Sequence, residues 1–276
     1  MGDAKASSAV GIDNKAVSVP VIMKMSVPAI VNNVAAPLAA ALQLSFLGHS
    51  GGASAVAAYS AINAVVSFVI NISNFLVVVV MSRVAHALGR QQWSLLGAAV
   101  RAALLTATAI GCSSAILLWL LRAFVFDLMS LRTHDIRELA QGYMPSALLR
   151  LPAMMVLKAA SSVLCGYQHV RVASVLNGLL AVADVLAFYV TLFPLEMGLP
   201  VAGAAAAGSC YATAVAGLLM VVRKTPSEAR RVVVCCPVRE DDAPEPVGEQ
   251  ASILSLAYDS LNILIRSILL SGSVFS

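Results

Sequence analysis

Four ionisable side chains fall inside apolar runs: Arg101, Arg150, Lys158 and Asp184. A charge there is expensive unless it meets a counter-charge or a water-filled cavity. Arg101 and Arg150 lie near the ends of their runs, where a long side chain reaches the interface, and are read as snorkelling. Lys158 and Asp184 lie deeper. At about 1.5 Å per residue, Lys158 sits about 10 Å from the end of its run and Asp184 about 18 Å into the next. A lysine stem bridges much of that difference between neighbouring helices, so a structural ion pair and a coupling site both stand open. Asn177 precedes Asp184 by seven residues, which is two helical turns and puts both on one face. Ala173, Leu180 and Ala181 share that stripe and leave room for a cavity. An amide and a carboxylate facing an aqueous pocket suit a small cation or a proton.

The elements that must position these groups are membrane helices. Hydrophobic residues make up 59% of the 276-residue chain and charged residues 12%, and its mean hydropathy is +0.87. That excludes a soluble domain, which needs more charge to cover its surface. Apolar runs long enough to cross a bilayer are expected at 21–47, 54–81, 95–121, 145–165, 172–193 and 201–222. None alternates as a barrel strand must. The fold class is therefore an all-α polytopic membrane protein: a six-helix lobe at 21–222, after a polar tail at 1–20.

Lys and Arg outside the runs are distributed unevenly. Only Arg122, Arg132 and Arg137 fall on one side; the rest cluster in the tail, in alternate connections and after the sixth run. The positive-inside rule puts the N-terminus in the cytoplasm. The net charge of +4 follows from that asymmetry and needs no nucleic-acid partner. His49, His86, His134 and His169 are scattered without ligand spacing, which argues against a metal. No paired aspartates or Ser–His set lies at helix depth, so an intramembrane enzyme is not expected. Gly203 with Ala204–Ala207 resembles a phosphate loop only superficially. At the start of a run, small residues serve close helix packing. Pro28 and Pro37 in the first run are candidate kinks, of the kind that lets transporter helices gate a cavity.

The order of motifs suggests a family. PAIVNNVAAPLAAALQLSFLGHSGG at the first run resembles the opening helix of the multidrug and toxic compound extrusion (MATE) transporters. NISNFLVVVVMSRVAHALG looks like their second helix, particularly in the plant and plastid-type branch. Pro152-Ala153, Gly166-Tyr167-Gln168, Asn177-Gly178 and Gly203-Ala204-Ala205 are similar to landmarks of the fourth to sixth helices. The resemblance runs over about 20–222. It implies a secondary antiporter that exports a small organic solute against a proton or sodium gradient, with two six-helix lobes around a central cavity. No cofactor is expected beyond that coupling ion.

The chain departs from the pattern where the family binds its cation. Gln43 stands where an acidic residue is usual, and it cannot titrate. The usual Asp of the fifth helix is replaced by Ala181, with Asp184 one turn later. Asn177, Asp184, Gln43 and Lys158 are therefore the candidate cation and substrate residues.

Residues 223–250 start basic, end acidic and carry four prolines, which reads as a solvated cytoplasmic linker between lobes. Residues 251–276 look like the incomplete first helix of a second lobe. The expected partners are the bilayer, the solute, and a second lobe or a second copy of the chain. The alternative is a non-transporting or regulatory half-transporter that docks on a full-length relative. Plasma membrane, vacuole and plastid envelope fit equally well as hosts.

Overall fold

Straight-chain and small apolar residues dominate the runs, and in lipid only a helix satisfies every backbone group within its own segment. The computed structural model describes residues 19–129, 133–226 and 229–230, with side chains from Val34 onward. Among them there are eight helices and no strand. These are α1 (Val19–Ser50), α2 (Gly52–Ile72), α3 (Asn74–Gly89), α4 (Trp93–Leu120), α5 (Arg122–Leu128), α6 (His134–Gly166), α7 (Val170–Leu192) and α8 (Gly198–Lys224). The chain is an all-α, multi-pass membrane protein. Most of the expected linker, from 231 on, and the expected seventh helix at 251–276 lie outside the described residues.

Five helical stretches are long and apolar enough to cross a membrane: Gly52–Gly89, Trp93–Leu120, His134–Gly166, Val170–Leu192 and Gly198–Lys224. Each covers one of the expected second to sixth runs. The first run falls on α1, of which Val34–Ser50 forms a shorter apolar helix.

Two boundaries differ from the sequence expectation, each for a local reason. The run at 54–81 is two helices, broken at Ser73. The Ser73 hydroxyl and its backbone N–H both donate to the carbonyl of Val69, at 3.0 and 3.1 Å. The run expected from 145 begins at His134. Asp135, Arg137 and Glu138 make its first turns too polar to read as a span, yet Asp135 favours a helix N-terminus. α6 is consequently about 50 Å long, more than a hydrocarbon core requires. Its internal prolines, Pro145 and Pro152, do not interrupt it.

α6 is the axis of the bundle, and small residues bring its neighbours close. A Cβ at Gly111 on α4 would come within 2.6 Å of the Pro152 Cα. One at Gly203 on α8 would meet Ser146 and Tyr143, and one at Gly166 would meet Val84 on α3. Gly203 and the alanines after it thus act in packing. The turn between α6 and α7 needs a left-handed residue, Gln168, with φ 62°. Tyr167 beside it bonds Thr225 at the end of α8 at 3.2 Å.

The apolar core is divided along the bundle. One cluster joins Tyr59, Ile62 and Val66 of α2 to Leu148 and Leu151 of α6, Phe188 of α7 and Leu199 of α8. A second joins Leu76, Val80 and Val84 of α3 to Val163 and Leu164 of α6, Leu176 of α7 and Val221 of α8. Between them lies a small cluster of Ala153, Leu157, Leu180, Cys210 and Ala214. Arg150, Asp184 and Ser209 meet beside this middle cluster.

Candidate functional site

The α6–α7 hairpin sets the register of the site. Arg150 lies 18 residues before Gln168 and Asp184 lies 16 residues after it. Two antiparallel helices therefore bring these side chains to one level. Nη2 of Arg150 donates to Oδ2 of Asp184, forming an ion pair across the hairpin. From α8, the Ser209 hydroxyl donates to Oδ1 of Asp184 at 2.7 Å. Asp184 is 4% exposed, the one buried carboxylate among the described residues. Nε of Arg150 is buried and has no hydrogen-bond partner. One residue earlier, the Leu149 carbonyl accepts a bond from the Tyr211 hydroxyl at 3.0 Å, which ties α8 to the same level of α6.

Gln43 reaches this level from α1. It is buried, and its Oε1 accepts a 2.6 Å hydrogen bond from the Tyr59 hydroxyl on α2. The Tyr59 ring packs on Tyr143 and Phe188, with centroids 5.5 and 5.6 Å apart. Tyr59 and Tyr143 both lie within electrostatic range of Arg150 and Asp184.

A second polar group lies nearer the α6–α7 turn. Nζ of Lys158 donates to Oδ1 of Asn74 at 2.6 Å, and Nδ2 of Asn74 donates to Oδ1 of Asn71 at 3.3 Å. The break at Ser73 holds both asparagines beside α6. Asn177 is half-buried and meets the Ser161 hydroxyl at 3.5 Å, the outer limit of a hydrogen bond.

The ion pair of Lys158 with Asp184, left open by the sequence, is not formed. Arg150 takes Asp184, and Lys158 takes Asn74. The early start of α6 explains this: Arg150 is mid-helix rather than near a span end, so it does not snorkel. Arg101, by contrast, is exposed on α4. Asn177 and Asp184 share a face of α7, but no hydrogen bond joins them directly. Pro28 lies within the helical backbone of α1, and its side chain is outside the described residues. Pro37 is exposed, and α1 stays helical through both prolines. Ser209, Tyr59 and Asn74 are not singled out by residue type, and Arg150 is marked as an ionisable residue but read as snorkelling rather than as part of a site. For Arg150 the readable signal was its distance from the α6–α7 turn, which nearly matches that of Asp184.

The arrangement is a buried, charge-balanced polar layer crossing α1, α2, α6, α7 and α8. No group of His, Cys, Asp and Glu able to hold a metal occurs among the described residues. A family model, MatE, matches residues 28–190, more than half of the chain. The chain belongs to the MatE family. That match covers Gln43, Arg150, Lys158, Asn177 and Asp184, while Ser209 lies beyond it. MatE proteins are transporters rather than enzymes. No curated protein matches the chain.

Proposed function

We propose that this MatE protein is a secondary transporter that exports a small organic solute in exchange for H+ or Na+. The observation that carries the coupling is Asp184, the one buried carboxylate among the described residues, which lies between α7 and α8 with Tyr59, the partner of Gln43, facing it. A cation entering the bundle meets that carboxylate there. Asn177 and Lys158, one level away, supply amide and ammonium groups for a polar solute. By its resemblance to two-lobed transporters, the 21–222 bundle forms one wall of a cavity. A second six-helix unit, in the same polypeptide or a second copy, forms the other. The lysine and arginine distribution supports a cytoplasmic N-terminus.

Efflux from proteoliposomes under an imposed proton or sodium gradient tests this reading. An organic dye should leave faster with a gradient than without, and Asp184→Asn should lower gradient-driven efflux about tenfold or more, the loss expected when a charged coupling group is removed. Unchanged coupled efflux in that variant would remove Asp184 from the mechanism. No efflux under either gradient would remove the transporter reading.

A further inference from the structure

We propose that Arg150 is a resident counter-ion that competes with the coupling cation for Asp184, and so keeps the site closed to Na+ until the guanidinium is displaced. The inference rests on Asp184 as the coupling carboxylate and adds a regulator of its occupancy.

Both oxygens of Asp184 already carry a donor, Ser209 on Oδ1 and Arg150 on Oδ2. The guanidinium cannot lose its proton. A second cation at the carboxylate would therefore leave a net positive charge in a low-dielectric interior. Occupancy by Na+ requires the guanidinium to leave first. Of the donors of Arg150, the buried Nε has no partner. The other titratable groups facing the pair are Tyr59 on α2, Tyr143 on α6 and Cys210 on α8. None of these supplies a carboxylate, and Gln43 on α1 is neutral. Among the described residues Asp184 is thus the only buried carboxylate that can accept either cation, and the two exclude each other. The side chain that departs must find new hydrogen-bond acceptors, so displacement couples cation entry to a rearrangement between α6 and α7.

The test is thermal unfolding of the full chain in detergent, in NaCl against N-methyl-D-glucamine chloride at equal ionic strength. The wild type should shift by less than about 1 °C. Arg150→Met should be stabilised by about 3–5 °C at saturating Na+, the shift expected for a ligand bound only by the folded state. Adding Asp184→Asn to that variant should abolish the shift. Arg150→Lys, which keeps the charge, should behave like the wild type. If Arg150→Met does not fold, Arg150→Gln carries the same expectation. An Asp184-dependent Na+ shift in the wild type as large as in Arg150→Met would overturn the proposal. So would a folded neutral variant that ignores Na+, or an Arg150→Lys protein that responds like Arg150→Met. The readout needs no transport: loss of efflux with the Na+ response intact would remove only the transporter reading.

Discussion

Asp184 and Gln43 meet their partners across helices, and each bond has a cost that its neighbours determine. Tyr59 is 2% exposed and donates to Gln43, itself 4% exposed. Removing the hydroxyl leaves the Gln43 carbonyl without its donor in a dry interior. Tyr59→Phe should therefore destabilise the folded protein by about 1–2 kcal/mol, measurable as a lower midpoint in a thermal or denaturant melt in detergent. An unchanged midpoint would mean that water replaces the hydroxyl. The Arg150–Asp184 pair is a harder case, because removing one partner strands the other. Such a break typically costs about 3–5 kcal/mol, while replacing both partners with apolar groups is often neutral. Efflux by Asp184→Asn should accordingly be compared at matched folded fraction. At this scale the sequence marked Asp184, Asn177, Gln43 and Lys158, but not the partners. Residue type shows that a buried charge needs a counter-charge; only the register of a helix pair selects Arg150 over Lys158.

Elements make their closest contacts through glycines, and these differ sharply in what they tolerate. Gly203 faces Ser146 and Tyr143 at distances no Cβ can share, whereas Gly178 on α7 has open space around it. Gly203→Val should press α8 away from α6 and lower stability by about 1–3 kcal/mol, as overpacking does. Gly178→Ala should be neutral or stabilise by up to about 1 kcal/mol through helix propensity. Comparing the two melting midpoints checks the prediction, and equal effects would contradict the close α6–α8 contact. The apolar runs for α4, α7 and α8 were legible because twenty-residue hydrophobicity is a strong signal. The start of α6 and the break at Ser73 were not. The first is hidden by charged turns that extend a helix beyond the apolar layer. The second falls inside one continuous apolar stretch, Gly52–Gly89, whose composition gives no sign of it.

The described residues form a helical bundle whose α7 carries the turn at 167–169 at one end and the connection at 193–197 at the other. At about 1.5 Å per residue, α7 spans about 34 Å, enough to put these ends on opposite membrane faces. In a cysteine-free background, His169→Cys should react with an impermeant maleimide only after the membrane is opened. Glu196→Cys should react in sealed cells. The reverse pattern would invert the proposed orientation while leaving the fold intact. The division of the core into two apolar clusters with a polar level between them bears on mechanics. Shearing an apolar cluster opens voids and loses dispersion contacts. Sliding one block over the other at the polar level trades hydrogen-bond acceptors instead. The bundle should thus yield at its waist before it yields within either cluster; the break between α2 and α3 lies one level nearer the α6–α7 turn, beside Lys158. Strain applied at either membrane face would be absorbed at the level of Asp184.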